Sequence, residues 1–347
     1  MKKLRIALIG AGQIAQVTHI PNFRKMEDVQ IVGICDKRME SAKAAADRWG
    51  IPDYFEDHIA MIEAVKPDAV TVCVPNKFHS SITLDAAGRG CHVFCEKPPA
   101  ITAEEAVQME QAAVKSGVLL SYGFHFRHGR ETKLIKEKID RGDLGIIYGA
   151  KAQWMRRRGI PGWGNFTNLA LQGGGPLIDI GAHMLDLALY FMDYPEISYV
   201  CANTSRYLGK SASAGLMGQW DRENFEVEDS LFGYIYFKNG HSMSVETSFA
   251  LNIKERDIRN VRLFGDKAGA SLFPLEVYGE DSGELSDSIY PHMEEIDRHY
   301  ECSRNFVQAC MGKEQLLVLP EQGTYVQQVI QALYDSAKLG TPVIMSK

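Results

Sequence analysis

Between Gly173 and Asp186 the chain reads GGGPLIDIGAHMLD. Asp179 and His183 stand four residues apart in a stretch with helical spacing of its apolar positions, and residues i and i+4 share a helix face. Pro176 suits a first helical turn, and the three glycines before it allow close backbone packing against whatever a cleft holds. The helix dipole favours a carboxylate in the first turn by roughly 0.3–1 kcal/mol, which keeps Asp179 ionised. An imidazole titrating near neutral pH is suited to take the proton of an alcohol hydroxyl. From the residues alone three readings stand side by side: an acid–base pair, two ligands of a metal ion, and a packing helix that uses Leu177, Ile178, Leu185, Leu187 and Leu189. A metal needs a third ligand, and the sequence offers no second helical pair, so no bound metal is expected. Packing leaves the polar face available for other work.

A second group of residues sits nearer the N-terminus. The apolar run LRIALI is followed by Gly10-Ala11-Gly12-Gln13-Ile14-Ala15. Such a glycine turn at a strand end lets the backbone approach a pyrophosphate, which then rests on the free amides of the following helix. The next strand-like run ends at Asp36, placed to bond a ribose diol. That carboxylate favours NAD, while Lys37 and Arg38 beside it keep NADP as the alternative cofactor. The run AVTVCV ends in Pro75-Asn76-Lys77-Phe78-His79, and HVFC ends in Glu96-Lys97-Pro98. Ligands of doubly wound sheets bind beyond the carboxyl ends of strands, so Gly10, Gly12, Gln13, Ile14, Asp36, Arg38, Pro75, Asn76, His79, Glu96 and Lys97 are the expected cofactor contacts. Lys97 is also placed to donate to a substrate oxygen beside the nicotinamide, the other reading being a surface lysine held by Glu96.

The elements that carry these residues change in kind near residue 122. Before it, Val- and Ile-rich runs alternate with helical patterns, as repeated βαβ units do, which predicts a doubly wound parallel sheet covered on both faces. After it, long alternating segments and the Lys238-Asn239-Gly240 turn predict an α+β domain with a mainly antiparallel, open-faced sheet. Helical patterns near 299–311 and 320–338 close the chain. The expected division is residues 1–123 and 124–347, with the last helix packing back on the first domain. The segment Trp154–Gly164, rich in Arg, Gly, Pro and Trp, leads toward the Asp179 helix and reads as a substrate loop, with Trp163 and Arg157 as contacts.

Composition narrows the class further. At 347 residues two domains are expected. A net charge of -6 argues against nucleic acid or anionic lipid as partner. The seven cysteines are scattered and sit largely in apolar runs, which fits reduced thiols in a cytoplasm, and Cys91 with Cys95 lacks the second pair a structural zinc needs. The N-terminal run is too short for a secretory segment and no run of 18 apolar residues occurs, so the protein is expected to be neither exported nor membrane-spanning.

With GAGQIA, PNKFH, EKP and the glycine-rich lead into DIGAH in view, the chain resembles the Gfo/Idh/MocA family over nearly its whole length. The resemblance implies a Rossmann domain followed by an open-sheet α/β domain. It also implies oxidation or reduction of sugars, cyclitols and related polyols with NAD or NADP. It assigns catalysis to Lys97, Asp179 and His183. His125-Phe126-Arg127 departs from the asparagine that many relatives carry before the arginine, and Arg127 joins Arg157 and Trp163 as an expected substrate contact. The expected function is a dehydrogenase transferring a hydride between nicotinamide and a secondary alcohol of a sugar, cyclitol or glycoside. Two other classes are a redox-neutral sugar-modifying enzyme with tightly held NAD and a non-catalytic dinucleotide sensor. An open sheet face also implies a homodimer or homotetramer.

Overall fold

The short Val- and Ile-rich runs of the N-terminal half form a six-stranded parallel sheet in the computed structural model, which describes residues 3–345. Its strands are β1 (Leu4–Ile9), β2 (Val29–Cys35), β3 (Tyr54–Phe55), β4 (Ala69–Val72), β5 (His92–Cys95) and β6 (Leu120–Tyr122). They stand in the order β3-β2-β1-β4-β5-β6. Strand order reverses beside β1, and the carboxyl ends of β1 and β4 therefore flank the switch point at which ligands of such sheets bind. The helices α1 (Ile20–Arg24), α2 (Met39–Trp49), α3 (His58–Val65), α4 (His79–Ala87) and α5 (Ala103–Ser116) link the strands. Ile6, Leu8, Val70 and Val72 are fully buried, as two-sided coverage requires.

The helix expected from about Gln13 opens instead as a π-helical turn, Ala15–His19, in which the Ile20 amide reaches back to the Ala15 carbonyl; only the short α1 follows.

In the second unit, helices α6 (Arg130–Asp140), α7 (Leu169–Gln172) and α8 (Ala182–Phe191) accompany nine strands: β7 (Ile147–Arg156), β8 (Ile197–Ser205), β9 (Ser230–Phe237), β10 (Ser242–Ser248), β11 (Asp257–Gly265), β12 (Gly269–Ser271), β13 (Glu276–Asp281), β14 (Glu284–Ile289) and β15 (Val343–Ile344). Their order is β14-β13-β12-β11-β7-β10-β9-β8-β15, antiparallel throughout except for β7 beside β10. The Lys238-Asn239-Gly240 turn joins β9 to β10 as its composition predicts. Gly240 takes φ +86°, a conformation that suits glycine, and the Phe237 amide donates to the His241 carbonyl. One sheet face, with Met243, Val245, Leu231 and Val261 buried, forms the core under α8. The other face keeps Phe232, Tyr234, Phe264 and Tyr278 exposed, and cross-strand pairing sets them around Gln153, Lys151 and Glu246.

The division into units is not a single cut after residue 123. One unit comprises Met1–His128 with Ile296–Gln327, the other Gly129–Glu295 with Gln328–Lys347. The returning segment carries α9 (Arg298–Cys310), whose Cys302, Phe306 and Val307 complete the core around Leu4, Ile6, Phe23 and Phe94. The helix α10 (Pro320–Leu339) follows, and its first turns also belong to this unit: a side chain at Gly323 would run into the Tyr122 ring.

Candidate active site

The glycine turn after β1 has two glycines with different duties. Gly10 holds φ +103°, and a methyl group there would collide with the Cys73 carbonyl, so the chain turns hard against the end of β4. At Gly12 a methyl group would meet nothing within 4 Å. Gly12 and Gln13 are exposed and Ile14 is half-buried, so this backbone faces an open surface. Asp36, at the end of β2, accepts from the Ala11 amide through Oδ2 at 3.0 Å and from the Arg38 amide through Oδ1 at 2.9 Å. A carboxylate has about four lone-pair sites, so capacity remains for a diol. Open amides at a helix start with a carboxylate at the neighbouring strand end fit a dinucleotide. Here Arg38 contributes its backbone, and its side chain is exposed.

Beyond β4 and β5 the residues divide. Pro75 is half-buried and Asn76 buried, opening a turn of 3₁₀-helix, Asn76–Phe78. His79, expected against the cofactor, is fully buried. Its ring nitrogens face the Pro98 carbonyl at 2.8 Å and the Val74 carbonyl at 2.9 Å. Burial lowers its pKa against the raising effect of these two carbonyls, and the ring lies between the loops that follow β4 and β5. Glu96 is likewise engaged by protein: Oε1 meets His19 Nε2 at 2.7 Å and Oε2 accepts from the Lys97 amide at 3.2 Å. Burial pushes this carboxyl up, but the hydrogen bond and charge of His19 and the charge of Lys97 outweigh it and hold the pKa near 2. Lys97 thus leaves a fixed backbone, and its bond to Pro98 is cis. His125 and His299 stack at 3.7 Å within the same unit, and burial holds both below the ordinary imidazole range.

Arg127 corrects another expectation. It is 1% exposed and its guanidinium donates to the Leu317 carbonyl and to Gln322, so it anchors the returning segment of its own unit rather than facing a substrate. A buried arginine needs such paired acceptors.

In the second unit Asp179 lies in a π-helical turn, Leu177–Gly181, that leads into α8, where the sequence predicts uninterrupted α-helix. The Ala182 amide reaches the Leu177 carbonyl, one residue beyond the α-helical partner. Asp179 and His183 are thus joined by a turn wound wider than an α-helix; π turns of this sort occur frequently at functional sites. His183 is 4% exposed and its ring lies 5.9 Å, centre to centre, from Trp154. Trp154 is fixed by an indole bond to Asp257 at 3.0 Å. Asp179 is half-buried.

The glycines before this turn serve a purpose other than the expected one. Gly173 caps α7 at φ +80°, and side chains at Gly174 and Gly175 would collide with the Tyr334 hydroxyl and the Glu228 carbonyl. They admit the unit's own residues, chief among them Glu228, which no pattern in the sequence singles out. Its Oε2 accepts from the Gly175 amide at 2.9 Å, and its Oε1 accepts from the Leu177 amide at 3.2 Å and from the Tyr334 hydroxyl at 2.7 Å.

Of the loop contacts expected from sequence, Trp163 is 46% exposed with its edge toward Phe166, and Arg157 is exposed with its guanidinium on the Lys254 carbonyl. The loop is backed by Ile160, Trp220, Phe225 and Phe249, and a side chain at Gly162 would collide with the backbone at Gly218 and Gln219. Among the described residues no helix is long and apolar enough to cross a membrane.

The sheet order and its fitted glycine turn place the chain among the dinucleotide-binding oxidoreductases. Residues 4–124 match the oxidoreductase family with an NAD-binding Rossmann fold, and residues 136–345 match its C-terminal alpha/beta domain. The chain belongs to this family, that of the Gfo/Idh/MocA oxidoreductases, and is an NAD-dependent dehydrogenase of CH–OH groups. It is 46% identical over 340 residues to the D-glucoside 3-dehydrogenase of Escherichia coli (strain K12), covering 98% of this chain and 97% of that protein. It is 28% identical to the levoglucosan dehydrogenase of Pseudarthrobacter phenanthrenivorans, covering 81% of this chain and 83% of that one. Among solved structures, levoglucosan dehydrogenase in complex with NADH and L-sorbose has the same fold, with a TM-score of 0.86 at 22% identity and all of both chains covered.

Proposed function

We propose that the protein oxidises the carbon-3 hydroxyl of a D-glucoside to a ketone with NAD as oxidant. The observation that carries this reading is the 46% identity, spread over 98% of the chain, to a D-glucoside 3-dehydrogenase. NAD, when bound, accepts the hydride from the substrate carbon. Gly10, Gly12, Gln13, Ile14 and Asp36 hold the nucleotide, the glycine turn through its amides and Asp36 through the ribose. Pro75 and Asn76 border it. His183 takes the hydroxyl proton, Asp179 orients substrate or imidazole, and Lys97 donates to the same oxygen as the carbonyl forms. Trp163 supplies an aromatic face for the sugar C–H groups and Arg157 a forked donor for its hydroxyls.

The test is a panel of alkyl and aryl D-glucosides, free hexoses and cyclitols, each with NAD and with NADP, product position being read by NMR after borodeuteride trapping. The expected result is 3-keto product from glucosides, with NAD favoured by about tenfold or more, the effect of losing one bond to a charged group and setting a 2′-phosphate against Asp36. Oxidation only at another carbon, or only of cyclitols, overturns the substrate assignment; equal use of NADP overturns the role of Asp36.

We infer further that the open sheet face pairs with a second copy of the chain. Four exposed aromatic side chains, Phe232, Tyr234, Phe264 and Tyr278, surround the polar trio Gln153, Lys151 and Glu246. Such a patch on an isolated monomer would leave apolar area in water. Sedimentation equilibrium is expected to give a dimer or tetramer that Phe232→Asp with Tyr234→Asp dissociates; a wild-type monomer at micromolar concentration refutes the pairing.

A further inference from the structure

The geometry points to Glu228 as a positioning residue that sets the π-helical turn on which Asp179 is carried. This inference rests on the catalytic reading of Asp179 and His183 given above.

The first amides of a helix have no partner within it, and a side chain at the helix start usually satisfies them. Here that place is taken by Pro176, which offers no such side chain. The carboxylate comes instead from Glu228, more than fifty residues away in sequence, and spans two donors, Gly175 N–H at 2.9 Å and Leu177 N–H at 3.2 Å. The second of these lies two residues before Asp179. The Tyr334 hydroxyl, on α10, closes on Oε1 at 2.7 Å, so the carboxylate is held from behind while it holds the turn in front. Glu228 is 8% exposed, and no rearrangement of solvent can replace these bonds cheaply.

Steric fit reinforces the polar one. Gly174 and Gly175 have no room for side chains because Tyr334 and Glu228 occupy that space. At the far end, a side chain at Gly181 would strike Thr247 of β10. The turn that carries Asp179 is therefore fixed at both ends. Without the carboxylate the turn is free to tighten toward α-helical geometry, which moves Asp179 relative to a reacting oxygen. Displacements near 1 Å at a reacting centre cost on the order of 10²-fold in rate.

The experiment compares Glu228→Ala, Glu228→Gln and Tyr334→Phe with wild type, normalised to NADH-binding sites, and adds amide exchange over residues 173–182. Glu228→Ala is expected to lower kcat by on the order of 10²-fold with KM for NAD within about twofold, because the nucleotide residues belong to the other unit. Glu228→Gln keeps one acceptor oxygen and is expected to recover to within about tenfold of wild type. Tyr334→Phe leaves the carboxylate both backbone donors and loses about tenfold, the equivalent of one hydrogen bond to a charged group. Exchange over 173–182 accelerates by about tenfold or more in Glu228→Ala while residues 186–191 keep their protection. A folded Glu228→Ala with wild-type kcat and unchanged exchange overturns the inference. So does a loss of activity that only tracks a loss of NADH-binding sites. If Glu228→Ala does not fold, Glu228→Gln and Tyr334→Phe decide by the same split. A wild type that oxidises no glycoside refutes the catalytic reading alone, and the exchange measurement still judges Glu228.

Discussion

Lys97→Ala and His183→Ala each lower turnover by about 100-fold or more, the usual cost of removing a group that transfers a proton or donates to a charge developing in the transition state. Affinity for NAD changes by less than about twofold in either variant, because the glycine turn and Asp36 remain intact. The informative measurement is the double variant. If both side chains serve one hydroxyl in one step, the second removal takes little that the first has not already taken, and the double variant is slower than the worse single variant by no more than about tenfold. If they stabilise the transition state independently of one another, the losses multiply to about 10⁴-fold. Stopped-flow single turnovers with saturating glucoside and NAD separate the chemical step from product release. Wild-type single-turnover rates in Lys97→Ala or His183→Ala remove that residue from the mechanism. A multiplicative double variant removes their shared action. His183 is the sharper case because its surroundings are built: the Trp154 ring beside it is itself tied to Asp257. A fixed imidazole loses little entropy on reaching the transition state, so truncation removes a pre-set group.

Much of this arrangement is legible in the sequence, and the parts that are not share a physical reason. Period-two and period-3.6 patterns report local burial, and they predict the parallel and antiparallel sheets, the β9–β10 hairpin and the closing helices α9 and α10. The glycine turn and Asp36 are legible because the spacing itself is the chemistry. Both π turns are invisible, since Ala15–His19 and Leu177–Gly181 keep a pattern that α-helix satisfies equally well. The roles of His79, Arg127 and Glu228 were hidden for a different reason. Each polar side chain finds its acceptors or donors on segments far along the chain, as Arg127 does at Leu317 and Glu228 at Gly175. An arginine read as a substrate clamp and an arginine buried as an anchor have the same one-letter code. Only the acceptors around it tell them apart. The return of residues 296–327 to the first unit is hidden too, because the amphipathic pattern of α9 states that a face is buried without stating against what.

His19→Leu is expected to destabilise the first unit by on the order of 3 kcal/mol at pH 7, the usual cost of removing one partner of a buried hydrogen-bonded charge; His19 is the leading group that holds the Glu96 carboxyl near 2, with Lys97 and His299 adding to it. The sign follows from the direction of the change. Glu96 has its folded pKa depressed, so the stabilisation is fully present above about pH 4.5 and is lost as pH falls toward 2. The difference in unfolding free energy between wild type and His19→Leu, taken from urea titrations, should be larger at neutral pH than in acid and shrink toward zero on acidification. A difference that grows on acidification, or that is absent at neutral pH, contradicts the assignment. Replacement by leucine leaves a buried carboxylate that accepts from the Lys97 amide at 3.2 Å but has lost His19. Burial then raises its pKa, and at pH 7 the folded state bears the cost of an under-compensated charge. The same bond reaches the amide of Lys97, the residue proposed to donate to the substrate oxygen. His19 ends the π turn that follows the glycine loop, and Glu96 ends β5, so the pair ties the nucleotide turn to the backbone from which Lys97 projects. The variant should therefore lose turnover as well as stability, and His19→Gln, which can still donate to Glu96, should recover most of both.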